Sequence, residues 1–317
     1  MGNVSFWAAF QDTCRRQNVA PTYLITSEVA EDAAARSLLR GWVQAGEAEV
    51  GAHLHPWTTA PFRDEPGMRF NDPYHAFMSE LPIELVFDKL TILTRQIESS
   101  IGVRPTAFRA GRYGLNDSGA ILLADLGYAV DSSVTPLLGW STHQGVPGGG
   151  GGPDFRSHSP RPFLVGKAGD LALLEIPVTI AYTNALLRRA PGLSGLYGSL
   201  PVRAASRLSG RRYLRTQPVW LHPAHFEHSV ADLKRLFDLQ MDSCGVAVMM
   251  VHSSELMPSG SPRTPTREAA DRVMRRLEAF LAHVRQTDTT CLTLSAAADM
   301  IRSTFVLPSL ELAGGQT

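Results

Sequence analysis

The sequence predicts an α/β protein built as a (β/α) barrel, or a distorted relative of one. Strand-like and helix-like segments alternate along most of the 317 residues. Such alternation means parallel strands joined by crossover helices. The strand-like segments number about seven, which suits a barrel better than an open sheet. No Gly-x-Gly-x-x-Gly follows the first strand, which weighs against a dinucleotide-binding fold.

The elements follow in order. Phe6, Phe10 and Cys14 recur at i, i+4 and i+8, one face of a helix. Past Pro21, Tyr23-Leu24-Ile25-Thr26 reads as a short buried strand. Leu38, Leu39, Trp42 and Val43 form a helical stripe that stops at Gly46. Glu49 to His53 is the next strand. Val86, Leu90, Leu93 and Ile97 make the clearest amphipathic helix, closed by Gly102. Pro105 to Phe108 is a strand, Ser118 to Leu126 a helix, Tyr128 to Asp131 a strand, and Leu171 to Val178 another. Asp232 to Met241 is helical. Val246 to Val251 is a continuous apolar run, as in a strand buried on both faces. Arg267 to Val284 is a long helix, and Cys291 to Leu294 a last strand.

Two stretches interrupt this rhythm, so the expected organisation is one domain, 1–317, with a loop or insertion at about 140–227. Gly145 to Pro153 holds five consecutive glycines and reads as loop. Ile176 to Phe226 contains no Asp or Glu, and Arg188 to Arg215 holds seven arginines. The plain reading is a solvated helical insertion over one barrel rim. The sharper one is a surface for an anionic polymer or membrane.

Composition narrows the function. Hydrophobic residues make up 44% and charged residues 19%, with a formal net charge of zero. Disordered chains are poorer in apolar residues and carry more charge. Neutralising phosphates needs excess Lys and Arg, so a nucleic-acid partner is not expected. No run of about 18 apolar residues is present, so no membrane span is expected. Three widely spaced cysteines (Cys14, Cys244, Cys291) allow no disulfide framework. A reducing compartment, hence the cytoplasm, is the expected location. The first twenty residues lack a basic stretch followed by an apolar core, so no signal peptide is read there.

The standout polar residues sit at expected strand ends: His53 and His55, Arg109, Asp131 and His252. In a barrel these ends open onto one rim, where active sites lie. In His53-Leu54-His55, residues i and i+2 of an extended chain point to the same side, so two imidazoles can grip one metal ion. Arg109-Ala110-Gly111-Arg112-Tyr113-Gly114 is either an ordinary βα turn or a tight loop whose Arg109 orients a carboxylate. Asp131-Ser132-Ser133 is a cap or a rim carboxylate. His252 is a hydrogen-bonded core histidine or a general acid or base. His222 is a further rim candidate, and His225 and His228, at i and i+3, read as surface helix. No Gly-x-Ser-x-Gly elbow or Walker-type phosphate loop is present.

Taken together these segments resemble the polysaccharide deacetylase family, the NodB-homology group. Glu49-Val50-Gly51-Ala52-His53 is similar to that family's E-[IV]-G-x-H motif. Phe108 to Gly114 is similar to its Phe-Arg-x-Pro-x-Gly motif, with an extra residue and no proline. Val251-His252-Ser253 resembles its late strand ending in the catalytic histidine. The matches run in order from about Val19 to Pro265. The resemblance implies a distorted (β/α)7 barrel and a metal-dependent hydrolase removing N- or O-acetyl groups from a carbohydrate, acting on carbon–nitrogen bonds other than peptides. It implies a divalent metal, zinc first, on His53 and His55. It gives Arg109 the role of orienting the base and His252 that of protonating the leaving group. Trp57, Tyr113 and Asp131 are the expected substrate-binding residues.

Two departures accompany it. The family's second metal histidine falls here on Trp57, so His55 must replace it. The opening strand with its paired carboxylates has no counterpart: Asp12 is the only acidic residue before Glu28. The expectation is a barrel incomplete at its N-terminus with an under-ligated metal. The alternative function is therefore a catalytically impaired homologue that binds glycan or a partner.

Overall fold

A computed structural model describes residues 4–62, 64–65, 68–69, 77–143, 145, 150–166, 172–193, 217–310 and 312. The chain divides into two compact units, residues 1–177 with 288–317, and residues 178–287.

The first unit is built on a seven-stranded sheet. Its strands are β1 (Thr22–Ile25), β2 (Glu49–Leu54), β5 (Ala107–Ala110), β6 (Val130–Asp131), β7 (Phe163–Val165), β8 (Leu173–Glu175) and β11 (Ser309–Leu310). Their order across the sheet is β1-β2-β5-β6-β8-β7-β11. The first five are mutually parallel, β7 runs against β8, and β11 lies parallel to β7. Two short strands, β3 (Asp64–Glu65) and β4 (Met68–Arg69), form a separate antiparallel pair. The α/β class expected from the alternation is thus what the chain forms, with a mainly parallel sheet.

Helices α1 (Trp7–Arg16), α2 (Ser27–Glu31), α3 (Ala33–Gln44), α4 (Ile83–Ile101) and α5 (Asp117–Asp125) belong to this unit. In α4 the stripe Val86, Leu90, Leu93 and Ile97 is buried. It ends at Gly102, whose φ of 92° is the left-handed cap a glycine adopts without strain. Fully buried Leu90, Leu93, Leu54 and Phe108 belong to one core cluster. Burial of each such side chain contributes roughly 2 kcal/mol. Glu49, at the N-terminal end of β2, accepts from Thr22 Oγ1 on β1 at 2.7 Å and from Ser295 in the helix Leu294–Thr304. The glutamate of the quoted motif therefore anchors the far end of the strand that carries His53.

The second unit contains β9 (Ile180–Ala181) paired antiparallel with β10 (Val219–Trp220). It also contains α6 (Ala185–Arg189), α7 (Val230–Cys244) and α8 (Arg267–Val284). Helix α9 (Leu294–Thr304) returns to the first unit. Ser229 caps α7 in a reciprocal capping box with Asp232. No helix among the described residues is long and apolar enough to cross a membrane.

Three expectations need correction. Val246 to Val251 forms no regular strand, and of its residues only Met250 is buried. Its ladder is interrupted because Thr179 Oγ1 accepts the Val248 N–H at 2.8 Å. An apolar run does not reveal which backbone stands beside it. Cys291 to Leu294 is likewise no strand, because Thr293 instead caps α9 by accepting Ala296 N–H. The sheet reaches seven with Phe163–Val165 and Ser309–Leu310 instead. His225 and His228 lie in a turn, not on a surface helix, and His228 is buried. In the Arg-rich stretch, helix covers Ala185–Arg189 and a short 3-10 turn Pro191–Leu193. Residues 194–216 lie outside the described residues, as do 146–149 of the glycine run.

Candidate functional site

The first unit gathers its chemistry at the C-terminal ends of four neighbouring parallel strands. His53 on β2 is in register with Arg109 on β5, and Asp131 on β6 with Glu175 on β8. Both His53 and Arg109 lie within their strands rather than beyond them, which fixes their backbones in the ladder.

The His-x-His geometry is as its spacing requires. The rings of His53 and His55 are 4.6 Å apart, and His55 stacks on Trp57 at 4.5 Å. Nδ1 of His53 is 2.7 Å from the carbonyl oxygen of Arg109. A carbonyl only accepts, so Nδ1 carries the proton and Nε2 is the atom that would ligate a metal. A fixed tautomer of this kind is typical of metal-binding histidines. Gly111 makes room for the pair. A Cβ there would press on the Leu54 carbonyl and come within 2.8 Å of the His55 ring. Arg112 and Tyr113 follow at φ of 51° and 62°, left-handed and costly by about 1 kcal/mol each for non-glycine residues. The turn stacks Tyr113 on Trp140 at 5.3 Å.

Arg109 does not reach out as a lone surface arginine. Its Nε donates to the Ser132 carbonyl at 2.7 Å and a terminal nitrogen donates to Ser132 Oγ at 2.9 Å. Burial pulls its pKa down, and Tyr113, Asp131 and Glu175 pull it back up. Asp131 is fully buried and accepts from the backbone N–H and the hydroxyl of Ser133, both at 2.8 Å. Glu175, also fully buried, accepts Val134 N–H at 3.0 Å. Glu175 went unnoticed in the sequence, where it looks like the end of one more apolar strand.

The second unit holds a histidine cluster on the turn after β10. Arg276 on α8 clamps this turn by donating to the carbonyls of Pro223 (2.6 Å) and His228 (2.7 Å). His222 is 1% exposed. Glu255 is also buried and lies 3.3 Å from His222 Nε2 and 3.4 Å from His252 Nδ1. The side chain of His252 is 57% exposed, so it is no core histidine. Among the described residues, two groups of three have potential ligand atoms within 4.8 Å of one another: His222, His252 and Glu255, and His225, Glu227 and His228. His53 and His55 are in neither group. Glu255 stands two residues beyond the quoted Val251-His252-Ser253 segment. Its signal was a carboxylate three residues after a histidine at the start of a turn.

No protein-family model matches the chain, and no curated protein sequence matches it. Solved structures do resemble it. A putative polysaccharide deacetylase from Mycobacterium smegmatis aligns over 99% of this chain and 82% of its own, at 16% identity and a TM-score of 0.57. A 4-alpha-glucanotransferase from Thermococcus litoralis aligns over 96% of this chain but 37% of its own, at 12% identity and a TM-score of 0.50. The Xyl-CE4 domain of a multidomain xylanase from the hindgut metagenome of Trinervitermes trinervoides covers 100% of this chain and 94% of its own, at 11% identity and a TM-score of 0.45. At such identities the likeness is one of fold. The chain shares the α/β fold of the first two, with its mainly parallel seven-stranded sheet.

Proposed function

We propose that this protein is a metal-dependent hydrolase that removes acetyl groups from a carbohydrate. The observation that carries this is the His53–His55 pair, 4.6 Å between rings, with His53 locked by the Arg109 carbonyl. The shared fold with a putative polysaccharide deacetylase supports it. His53 and His55 would hold a divalent cation. Zinc suits imidazole ligands best here, with cobalt and nickel as substitutes. Bound there, such an ion polarises an acyl carbonyl and lowers the pKa of water.

The chain's own residues do the rest. Arg109, braced on Ser132, presents a fixed positive charge for a carboxylate or an acyl oxygen. Asp131 holds the Ser132–Ser133 turn on which Arg109 rests. Trp57 and Tyr113 offer aromatic surfaces for a sugar ring. His252, exposed and 3.4 Å from Glu255 in the second unit, is given the role of protonating the departing amine or alcohol by the resemblance of its segment to the family's late strand.

The test is acetate release from N-acetylated chito-oligosaccharides, O-acetylated xylo-oligosaccharides and small amides, with Zn²⁺ or Co²⁺ added. Acetate from a carbohydrate, falling at least 100-fold in His53→Ala and in His252→Ala, is expected. No acetate from any carbohydrate and no metal retained would overturn the proposal. A second reading, a glycan- or partner-binding homologue with impaired catalysis, is favoured by one observation. No third His, Cys or carboxylate among the described residues joins His53 and His55 at ligand spacing.

A further inference from the structure

His225, Glu227 and His228 lie on one turn of the second unit, and their potential ligand atoms are within 4.8 Å of one another. Nδ1 of His225 is 3.2 Å from Oε1 of Glu227. Two ligand atoms on one tetrahedral zinc ion stand roughly 3.3 Å apart, given bonds of about 2.0–2.1 Å. This pair therefore has the spacing of one edge of such a shell. The side chain of His225 is 12% exposed and that of Glu227 54%, while His228 is buried. The imidazoles are screened from water, and the carboxylate leaves one side of the cluster open to it.

The protein itself fixes the turn. The His228 N–H donates to the His225 carbonyl at 3.1 Å. Arg276 donates to the carbonyls of Pro223, His225 and His228 at 2.6, 3.2 and 2.7 Å. Phe226, between the two histidines in sequence, has the guanidinium groups of Arg272 and Arg276 over its ring at 5.1 and 5.6 Å. The His225 ring is stacked on Trp220 at 5.1 Å and tilted against His222 at 4.5 Å. Glu227 is braced too: Arg263 Nη1 lies 3.5 Å from its Oε2, while Oε1 faces His225. Outer contacts of this kind orient metal ligands.

The protonation states also fit. Burial, with the charge of Arg263, lowers the His225 pKa to about 4, so the ring is neutral near pH 7. Burial raises the Glu227 carboxyl, but its own backbone N–H and the charges of His225, Arg263 and His228 outweigh it, leaving the group below the usual carboxylate range. Neutral imidazole and ionised carboxylate are the forms that ligate. A proton between Nδ1 and Oε1 would serve two of the three groups, whereas a metal ion uses all three. The other group of this spacing, His222, His252 and Glu255, is not equivalent. Nδ1 of His222 already accepts the Ala224 N–H at 3.2 Å. Its neutral ring then carries the proton on Nε2, the nitrogen nearest Glu255, and has no lone pair to offer there.

We infer that His225, Glu227 and His228 form a site for a divalent transition-metal cation, separate from the His53–His55 pair. Two imidazoles and a carboxylate suit zinc first, with cobalt and nickel as substitutes. They supply three ligands, and a water on the side where Glu227 is exposed completes a tetrahedral shell. The site lies wholly within the second unit and stands independently of the function proposed above.

The test is a Zn²⁺ titration of the full chain, labelled with ¹⁵N at histidine, near neutral pH. The signals of His225 and His228 are assigned from His225→Gln and His228→Gln. Both should move together and saturate with one dissociation constant. The His283 signal, from a ring 2.7 Å from Asp238 in the same unit, should stay in place. Glu227→Ala should weaken this binding at least tenfold. Glu227 is exposed, so the variant keeps its fold, and an unmoved His283 signal checks that. His53→Ala should leave the His225 and His228 titration as it is in the wild type. Still signals from His225 and His228, or equal affinity in Glu227→Ala, overturn the inference. So does Zn²⁺ that moves His222 and His252 while His225 and His228 stay in place. Zinc bound only through His53 and His55 also overturns it, and leaves the proposed hydrolase standing.

Discussion

Asp131 and Glu175 stand directly opposite one another on adjacent parallel strands, both carboxylates fully buried. Glu175 Oε2 has no hydrogen-bond donor among the described residues. Two buried anions side by side cannot both stay ionised. The charge of Arg109 acts on both. Burial, then the charge of Asp131 and a hydrogen bond to it, push Glu175 well above the usual carboxylate range, and burial raises Asp131 too. Burial and their mutual repulsion therefore favour a proton shared by the pair, with the stronger rise on Glu175.

A prediction about pH follows from the sign of that shift. The folded pKa of Glu175 exceeds its unfolded value of about 4.5, so its contribution is fully present below that pH and is lost as pH rises towards the folded value. The slope is about 1.4 kcal/mol per pH unit while only the unfolded chain is ionised there. Glu175→Gln, whose amide can donate to Asp131 as the acid does, should flatten this loss. Urea denaturation at pH 5, 7 and 9 measures it. An unchanged pH dependence in the variant would contradict the shared proton.

His222 tilts stability the other way. Its folded pKa of about 3 lies below the ordinary 6.5. The unfolded chain therefore takes up a proton that the folded chain refuses, and stability is lost as pH falls from about 6.5 towards 3, by up to about 1.4 kcal/mol per unit. His222→Gln should reduce the slope between pH 6.5 and 4. An equal slope in both proteins would show that the ring is protonated in the native state.

Gly111→Ala tests the close approach beneath the histidine pair. The added methyl meets backbone at Leu54 and the ring of His55, neither of which yields easily. Overpacking of this kind costs about 1–3 kcal/mol. A fall in thermal midpoint together with weaker Co²⁺ binding is expected. Binding equal to wild type would mean that the His53–His55 geometry is not needed for the metal.

Lys89 holds the loop that follows the pair. It is fully buried on α4 and donates to the carbonyls of Thr59 and Pro61, the latter at 2.8 Å. Lys89→Met leaves those acceptors without their donor, at a cost of about 2 kcal/mol. Faster proteolysis near residues 58–62 and a lower urea midpoint are expected. Unchanged values would show that the loop is held by other contacts.

The sequence by itself determined what rests on local geometry. Helix α4 was legible because Val86, Leu90, Leu93 and Ile97 share one face, and Gly102 ends it. The closeness of His53 and His55 was legible because residues two apart on extended chain share a side. The close approach at Gly111 was legible because only glycine lacks a Cβ. Tertiary structure alone decided which distant backbones become neighbours. Val246–Val251 looks like a buried strand, but Thr179 interrupts its pairing, while Phe163–Val165 and Ser309–Leu310 complete the sheet. The partners of the key polar groups were equally hidden. Glu175 meets Asp131 only through strand order, and His222 meets Glu255 only through the folding of the second unit. Periodicity records which side of an element is buried, and carries no information about what stands across from it.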